Sequence, residues 1–163
     1  MQSSHNRTNL VLKLILSFIF MKKVFVSGCY DILHAGHVQF FFDAKALGDY
    51  LIVSFASDEV LLKYKGRVSA LPEEHKKFLL ESLKPVDKVY KSTNVDDPVL
   101  DFKDAFLLEK PAILAVTEDD KHAEKKKALC AQIGAKYVVL SKKNRFAPVS
   151  TTTIRDKIKT SKD

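Results

Sequence analysis

A chain of 163 residues, 46% hydrophobic and 29% charged, is long enough to bury one compact core and too apolar to be disordered. Its 27 basic and 20 acidic residues leave a formal charge of +7, but the signs are interspersed, as in Glu118-Asp119-Asp120-Lys121-His122-Ala123-Glu124-Lys125-Lys126-Lys127. Such mixing describes a solvated helix face and argues against nucleic acid as a partner, while a modest positive field suits phosphorylated small molecules. Cys29 and Cys130 stand in no metal-binding or disulfide spacing, so both are expected to be free thiols in a reducing, cytoplasmic setting.

Residues 1–20 are expected to be an N-terminal extension outside the fold. The apolar run at 10–20 is shorter than the roughly 20 residues a membrane span needs, and no small-residue cleavage site follows it. Met21 is expected to be the physiological start, with a peripheral anchor or an added packing segment as the alternatives for the residues before it. From there strand-like runs at 24–27, 50–56, 86–90, 112–116 and 137–140 alternate with helical ones. The strands lack strict two-residue alternation, as expected when both faces are covered. The first helix is expected over 38–47, and Pro72-Glu73-Glu74 opens another. Asp97-Pro98 opens the next, with Val99, Phe102 and Phe106 on one side. A further helix runs from Asp119 to a stop at Gly134, and the last begins near Ser150 and buries Ile154 and Ile158. This alternation predicts an α/β, Rossmann-like three-layer domain over 21–163, built on a five-stranded parallel sheet without internal repeats.

Ligands in such sheets bind at the carboxyl ends of the strands. The run Gly28-Cys29-Tyr30-Asp31-Ile32-Leu33-His34-Ala35-Gly36-His37 occupies that place after the first strand. A glycine-bearing turn leading into a helix presents free N–H groups and the positive end of the helix dipole to an anion. His34 and His37, three apart, share a helix face and can meet one ligand. Taken singly these features are weak: paired histidines are often structural, and Ser/Thr clusters before helices are often caps.

The Gly28–His37 run resembles the G-x-F-D-x-x-H-x-G-H signature of the cytidylyltransferase-like nucleotidylyltransferases, which include glycerol-3-phosphate cytidylyltransferase, ADP-heptose-type adenylyltransferases and archaeal FAD synthetase. Val149-Ser150-Thr151-Thr152-Thr153-Ile154-Arg155 resembles their second signature, Lys65-Gly66 their lysine-bearing loop, and Leu83-Lys84-Pro85-Val86-Asp87-Lys88-Val89 their entry to the third strand. The likeness spans residues 22–159. It implies transfer of a nucleoside monophosphate from ATP or CTP to a small phosphorylated metabolite, with release of pyrophosphate. Mg²⁺ would bridge the phosphates largely through water, with no metal-ligating residues in the chain. The resemblance assigns His34, His37, Lys65 and Arg155 to the charge of the transferring phosphate, and Gly28, Cys29, Tyr30, Gly36, Ser150, Thr151 and Thr152 to the nucleotide. Asp31 would orient the turn from behind, and Lys76 and Asp119 would either support the site from behind in the same way or face the acceptor.

Three departures stand out: Tyr30 for phenylalanine, Lys76 for arginine, and Ala115-Val116-Thr117-Glu118-Asp119 at the end of the fourth strand. The last two leave a non-catalytic nucleotide-binding module as the alternative function. A metal hydrolase would need a third ligand beside His34 and His37, and the absence of a G-x-x-x-x-G-K-[S/T] run excludes a P-loop kinase. Relatives often pair, and Phe40-Phe41-Phe42 offers more apolar surface than one helix stripe needs, so a homodimer is expected.

Overall fold

Val, Ile and Phe dominate the central strands because both faces of the sheet are covered. In the computed structural model, which describes residues 21–142 and 146–161, five strands form one sheet in the order β3-β2-β1-β4-β5. They are β1 (Lys23–Gly28), β2 (Tyr50–Phe55), β3 (Lys88–Lys91), β4 (Ile113–Thr117) and β5 (Lys136–Leu140), and every pairing is parallel. Six helices accompany them: α1 (Ala35–Lys45), α2 (Asp58–Lys65), α3 (Glu73–Glu81), α4 (Lys103–Glu109), α5 (Ala123–Ala131) and α6 (Thr151–Thr160). On one face Val24, Val26, Leu51 and Val53 pack against Phe41 and Ala44 of α1 and Leu80 of α3. On the other, Phe25, Ile52 and Leu114 meet Phe102 and Phe106 around α4, and Leu129 and Cys130 of α5. The expected three-layer α/β architecture is therefore the one observed. Strand order reverses at β1, which puts the switch point between the carboxyl ends of β1 and β4.

Several local expectations need correction. Helix α2 has no apolar stripe in sequence, yet it is fixed at both ends. Ser57 Oγ accepts from Val60 N–H at its start, and Gly66 closes it at φ 66°. Asp97 starts a turn and not a helix: its carboxylate accepts from the N–H groups of Val99 and Leu100, and α4 begins only at Lys103. Helix α5 is shorter than the expected 119–133, because the chain first turns through an Asp120 N–H to Thr117 O bond. The third strand starts at Lys88 and not at residue 86, since Val86 N–H closes a turn onto Leu83 O. Ile154 and Ile158, both expected to be buried, are half-buried and 67% exposed, because α6 touches the domain through its first turns and residues 156–161 face solvent. In the aromatic run Phe41 is core, Phe40 packs on it and Phe42 is exposed. The 1–20 segment lies outside the described residues. Among the described residues, no helix is long and apolar enough to cross a membrane.

Candidate active site

Strand β1 ends at Gly28, and the chain turns sharply through Tyr30, which adopts a left-handed φ of 43°. The Tyr30 ring folds back over the strand end: a Cβ at position 28 would stand 2.8 Å from Tyr30 Cζ. A side chain at 28 would therefore have to displace this ring. The left-handed backbone costs about 1 kcal/mol, offset by packing edge-on to Phe41 and His37 at 5.0 and 5.3 Å between centroids. Burial pushes the Tyr30 hydroxyl far above its ordinary pKa, with Cys29 and Asp101 adding to the effect, so it is a neutral phenol. Cys29 beside it is half-buried.

His34 caps α1 and His37 lies in its first turn, so the two imidazoles stack with centroids 3.8 Å apart. Gly36 makes that possible, since a Cβ there would press on His34 Cε1 at 3.1 Å. Burial lowers both pKa values, and His37, further depressed by His34 and Lys142, falls to about 4. Burial therefore favours the neutral form of both rings near physiological pH. Each neutral ring carries one N–H donor and one acceptor nitrogen. The Nδ1 atom of each is buried without a hydrogen-bond partner among the described residues.

Asp31 joins this loop to two others. Its buried carboxylate accepts from Arg67 Nη1 and Arg155 Nη2, both at 2.7 Å on Oδ2, and from Ala70 N–H on Oδ1. Burial alone would raise its pKa, but Ala70 N–H, Arg67 and Arg155 more than offset that and hold it below the ordinary value. The sequence placed Asp31 as an orienting group but missed Arg67, whose only local signal was its position after Lys65-Gly66. Arg155 was expected to grip phosphate; its Nη2 is committed to Asp31 and its Nε is buried without a partner.

The first turn of α6 touches the same loop, where Thr151 Oγ1 donates to Ile32 O at 3.3 Å. Ser150 is a cap: its Oγ accepts from Thr153 N–H, and Thr153 Oγ1 accepts from Ser150 N–H. The first intrahelical bond is Ile154 N–H to Ser150 O. The N–H groups of Thr151 and Thr152 precede it and are free of the helix ladder. The structure therefore brings the loop that carries the histidine pair against the first turn of α6, with Asp31 as the clasp.

The remaining expected residues divide. Lys76 is buried, and its Nζ donates to Ala56 O at 2.8 Å and Ser69 Oγ at 2.7 Å, beside Cys29 O and over the Phe55 ring. It pins the ends of β1 and β2, which is the supporting one of its two expected places. Lys65 is exposed at the end of α2, and among the described residues no hydrogen bond or ion pair ties it to the histidines. Asp119 is held below its ordinary pKa by Lys142 and by Thr117 Oγ1, each at 2.6 Å. Its neighbour Asp120 is fixed by Lys126 and Tyr137. Among the described residues no group of three His, Cys, Asp or Glu side chains could hold a metal. Asp31, the carboxylate nearest in sequence to the histidines, is already saturated by its two arginines.

A parallel α/β sheet with a glycine-bearing turn, a histidine pair and a helix N-terminus at its switch point defines a domain of the nucleotidyltransferase type. The family model described as cytidylyltransferase-like matches residues 25–157, and the chain belongs to that family. It is 47% identical over 68 residues to an FAD synthase from Ferroglobus placidus, a match covering 42% of this chain and 43% of that protein. The chain thus spans less than half the length of that relative. Among solved structures, a lipopolysaccharide core biosynthesis protein from Thermoplasma volcanium superposes with a TM-score of 0.61 at 26% identity, over 76% of this chain and 97% of that one. The pantoate-beta-alanine ligase of Francisella tularensis, complexed with beta-gamma ATP and beta-alanine, shares the fold at a TM-score of 0.61 and 20% identity, over 86% and 66% of the two chains. TmcAL of Thermotoga maritima, bound with alpha-thio ATP, does so at 0.61 and 15%, over 85% and 50%.

Proposed function

We propose that the protein transfers a nucleoside monophosphate from ATP to a small phosphorylated acceptor and releases pyrophosphate. What carries this reading is the meeting of Gly28–His37 with the first turn of α6, joined by Asp31–Arg155 and Thr151–Ile32. An oxygen of the acceptor phosphate attacks the α-phosphorus, the bond to the bridging oxygen breaks, and the leaving pyrophosphate takes the electron pair. The acceptor brings its own nucleophile, so the protein has only to position two anions and stabilise developing charge. His34 and His37 supply neutral N–H donors, and the Thr151 and Thr152 amides supply the helix N-terminus. Arg155, steered by Asp31, keeps further guanidinium donors for phosphate oxygens. Lys65 would reach the phosphates only by swinging in from the end of α2.

Mg²⁺ fits this donor set as a passenger of the triphosphate: with Asp31 closed off by arginines, it would be carried by phosphate oxygens and water, and would screen their charge. The FAD synthase relative supports ATP as donor and FMN as the first acceptor to test, because FAD is FMN joined to AMP through a pyrophosphate. CTP with a polyol or sugar phosphate is the alternative within the same chemistry. The burial of Lys76 removes one of the two departures that favoured a non-catalytic module, since that lysine holds the strand ends. A homodimer belongs to the same proposal, with exposed Phe42 on α1 as available apolar surface. The test is a pyrophosphate-release screen of ATP and CTP against FMN, glycerol 3-phosphate and sugar phosphates. Release with one pair supports the proposal; no release with any pair overturns it.

A further inference from the structure

Lys142 stands just past the end of β5, at the carboxyl edge of the sheet that carries the histidine loop. Strand order sets the ends of β1, β4 and β5 side by side, and Thr117, the last residue of β4, pairs with Leu140, the last of β5. Asp119 and Lys142, each two residues further on, rise together from this edge. The backbone of Lys142 is held, because its N–H donates to Glu118 Oε1 at 3.3 Å while Glu118 N–H donates to Leu140 O at 3.2 Å. Among the described residues its side chain is held by Asp119 alone, at 2.6 Å. Leu140 packs against the cluster that contains Tyr30, the ring that meets His37 edge-on. Consistent with this, the charge of Lys142 is felt at the His37 ring.

The neighbouring acid shows the contrast. Asp120 and Lys126 are 9% and 14% exposed and are locked further by Tyr137, a fixed brace. Asp119 and Lys142 are 58% and 52% exposed, so water competes for both and their mutual attraction is weak. Lys76, by comparison, is buried on backbone carbonyls and cannot be released. A weakly held ammonium on the same strand edge as the histidine loop is available to an anion bound there, and a triphosphate with several charges competes well against one exposed carboxylate.

We propose that Lys142 is a phosphate-binding residue of this site, parked on Asp119 in the free protein and passed to the triphosphate when nucleotide binds. The proposal rests on the nucleotide-binding reading of the site. Calorimetry on the full chain, with inorganic tripolyphosphate and with ATP, tests it in Lys142→Met and Asp119→Asn. Loss of one charge-assisted contact weakens binding about five- to tenfold in Lys142→Met. Removing the competing carboxylate tightens it about two- to fivefold in Asp119→Asn. As a second readout, the His37 ring, followed by NMR, titrates at higher pH in Lys142→Met, which places the ammonium near the histidine pair, and the affinity change for tripolyphosphate shows whether it binds phosphate. Wild-type affinity for both probes in Lys142→Met, or weaker binding in Asp119→Asn, overturns the role of Lys142 while leaving the site intact. A wild-type chain that binds neither probe overturns the nucleotide reading itself, and this proposal with it.

Discussion

Asp31→Asn is the substitution to which the geometry is most sensitive. It preserves shape and the acceptor for Ala70 N–H but removes the charge that neutralises Arg67 and Arg155. Removing one partner of a buried ion pair costs ~3–5 kcal/mol, because the other charge is left uncompensated. Here Arg67 and Arg155 keep 34% and 25% side-chain exposure and can rehydrate in part, which brings the expected loss to ~2–3 kcal/mol. For a domain of this size ~1 kcal/mol shifts Tm by roughly 2–4 °C, so the melt falls by about 5–10 °C. The clasp also positions α6, so ATP affinity measured by calorimetry falls more than tenfold even well below the new Tm. Adding Arg67→Met to Asp31→Asn removes one stranded cation and recovers part of the stability but not the affinity. A melt within about 2 °C of wild type together with unchanged ATP affinity would refute the clasp.

His37→Ala removes a preorganised donor and lowers kcat by roughly two to three orders of magnitude with little change in Tm; unchanged turnover contradicts the assignment. Lys76→Met leaves Ala56 O and Ser69 Oγ without their donor and lowers stability by ~1–3 kcal/mol, with no selective rise in the acceptor KM. The pH dependence of Tm separates two groups. Buried His37 resists protonation, so the unfolded chain binds the extra proton first and stability drains away as pH falls from about 6.5 towards 4. Burial alone would raise the pKa of Glu109, but Lys23, Lys88 and Tyr90 bring it down to about 2, so its contribution is present above about 4.5 and is lost on the way to 2. Glu109→Gln removes only the lower limb of that curve, and a curve that keeps it contradicts the assignment.

How much could be read beforehand follows from where each signal lies. The central strands carry their burial in their own composition, as in Leu51-Ile52-Val53, and were legible; so was the cap-and-turn chemistry of Ser150 and Gly134. Helix α2 was missed because Val60 and Leu61 alone are buried while Leu62 and Tyr64 are exposed, so it shows no stripe and depends on Ser57 and Gly66 at its ends. The signature loop could be located, but the purpose of its glycines could not. Gly28 and Gly36 make room for the Tyr30 and His34 rings, a fact of side-chain direction and not of spacing. Lys76 reads as surface in a polar helix because the carbonyl it serves, on Ala56, is twenty positions away in the chain. The Arg67–Asp31 and Lys142–Asp119 pairs are likewise long-range, and no local pattern announces them.

The reading that one triphosphate is held from two sides can be tested by titrating Mg²⁺–ATP into the ¹⁵N-labelled chain and following backbone amides. Amides of Gly28–His37 and of Ser150–Arg155 should shift together, along curves that fit one common Kd. Shifts confined to one of the two segments, or two segments saturating at different concentrations, would contradict it.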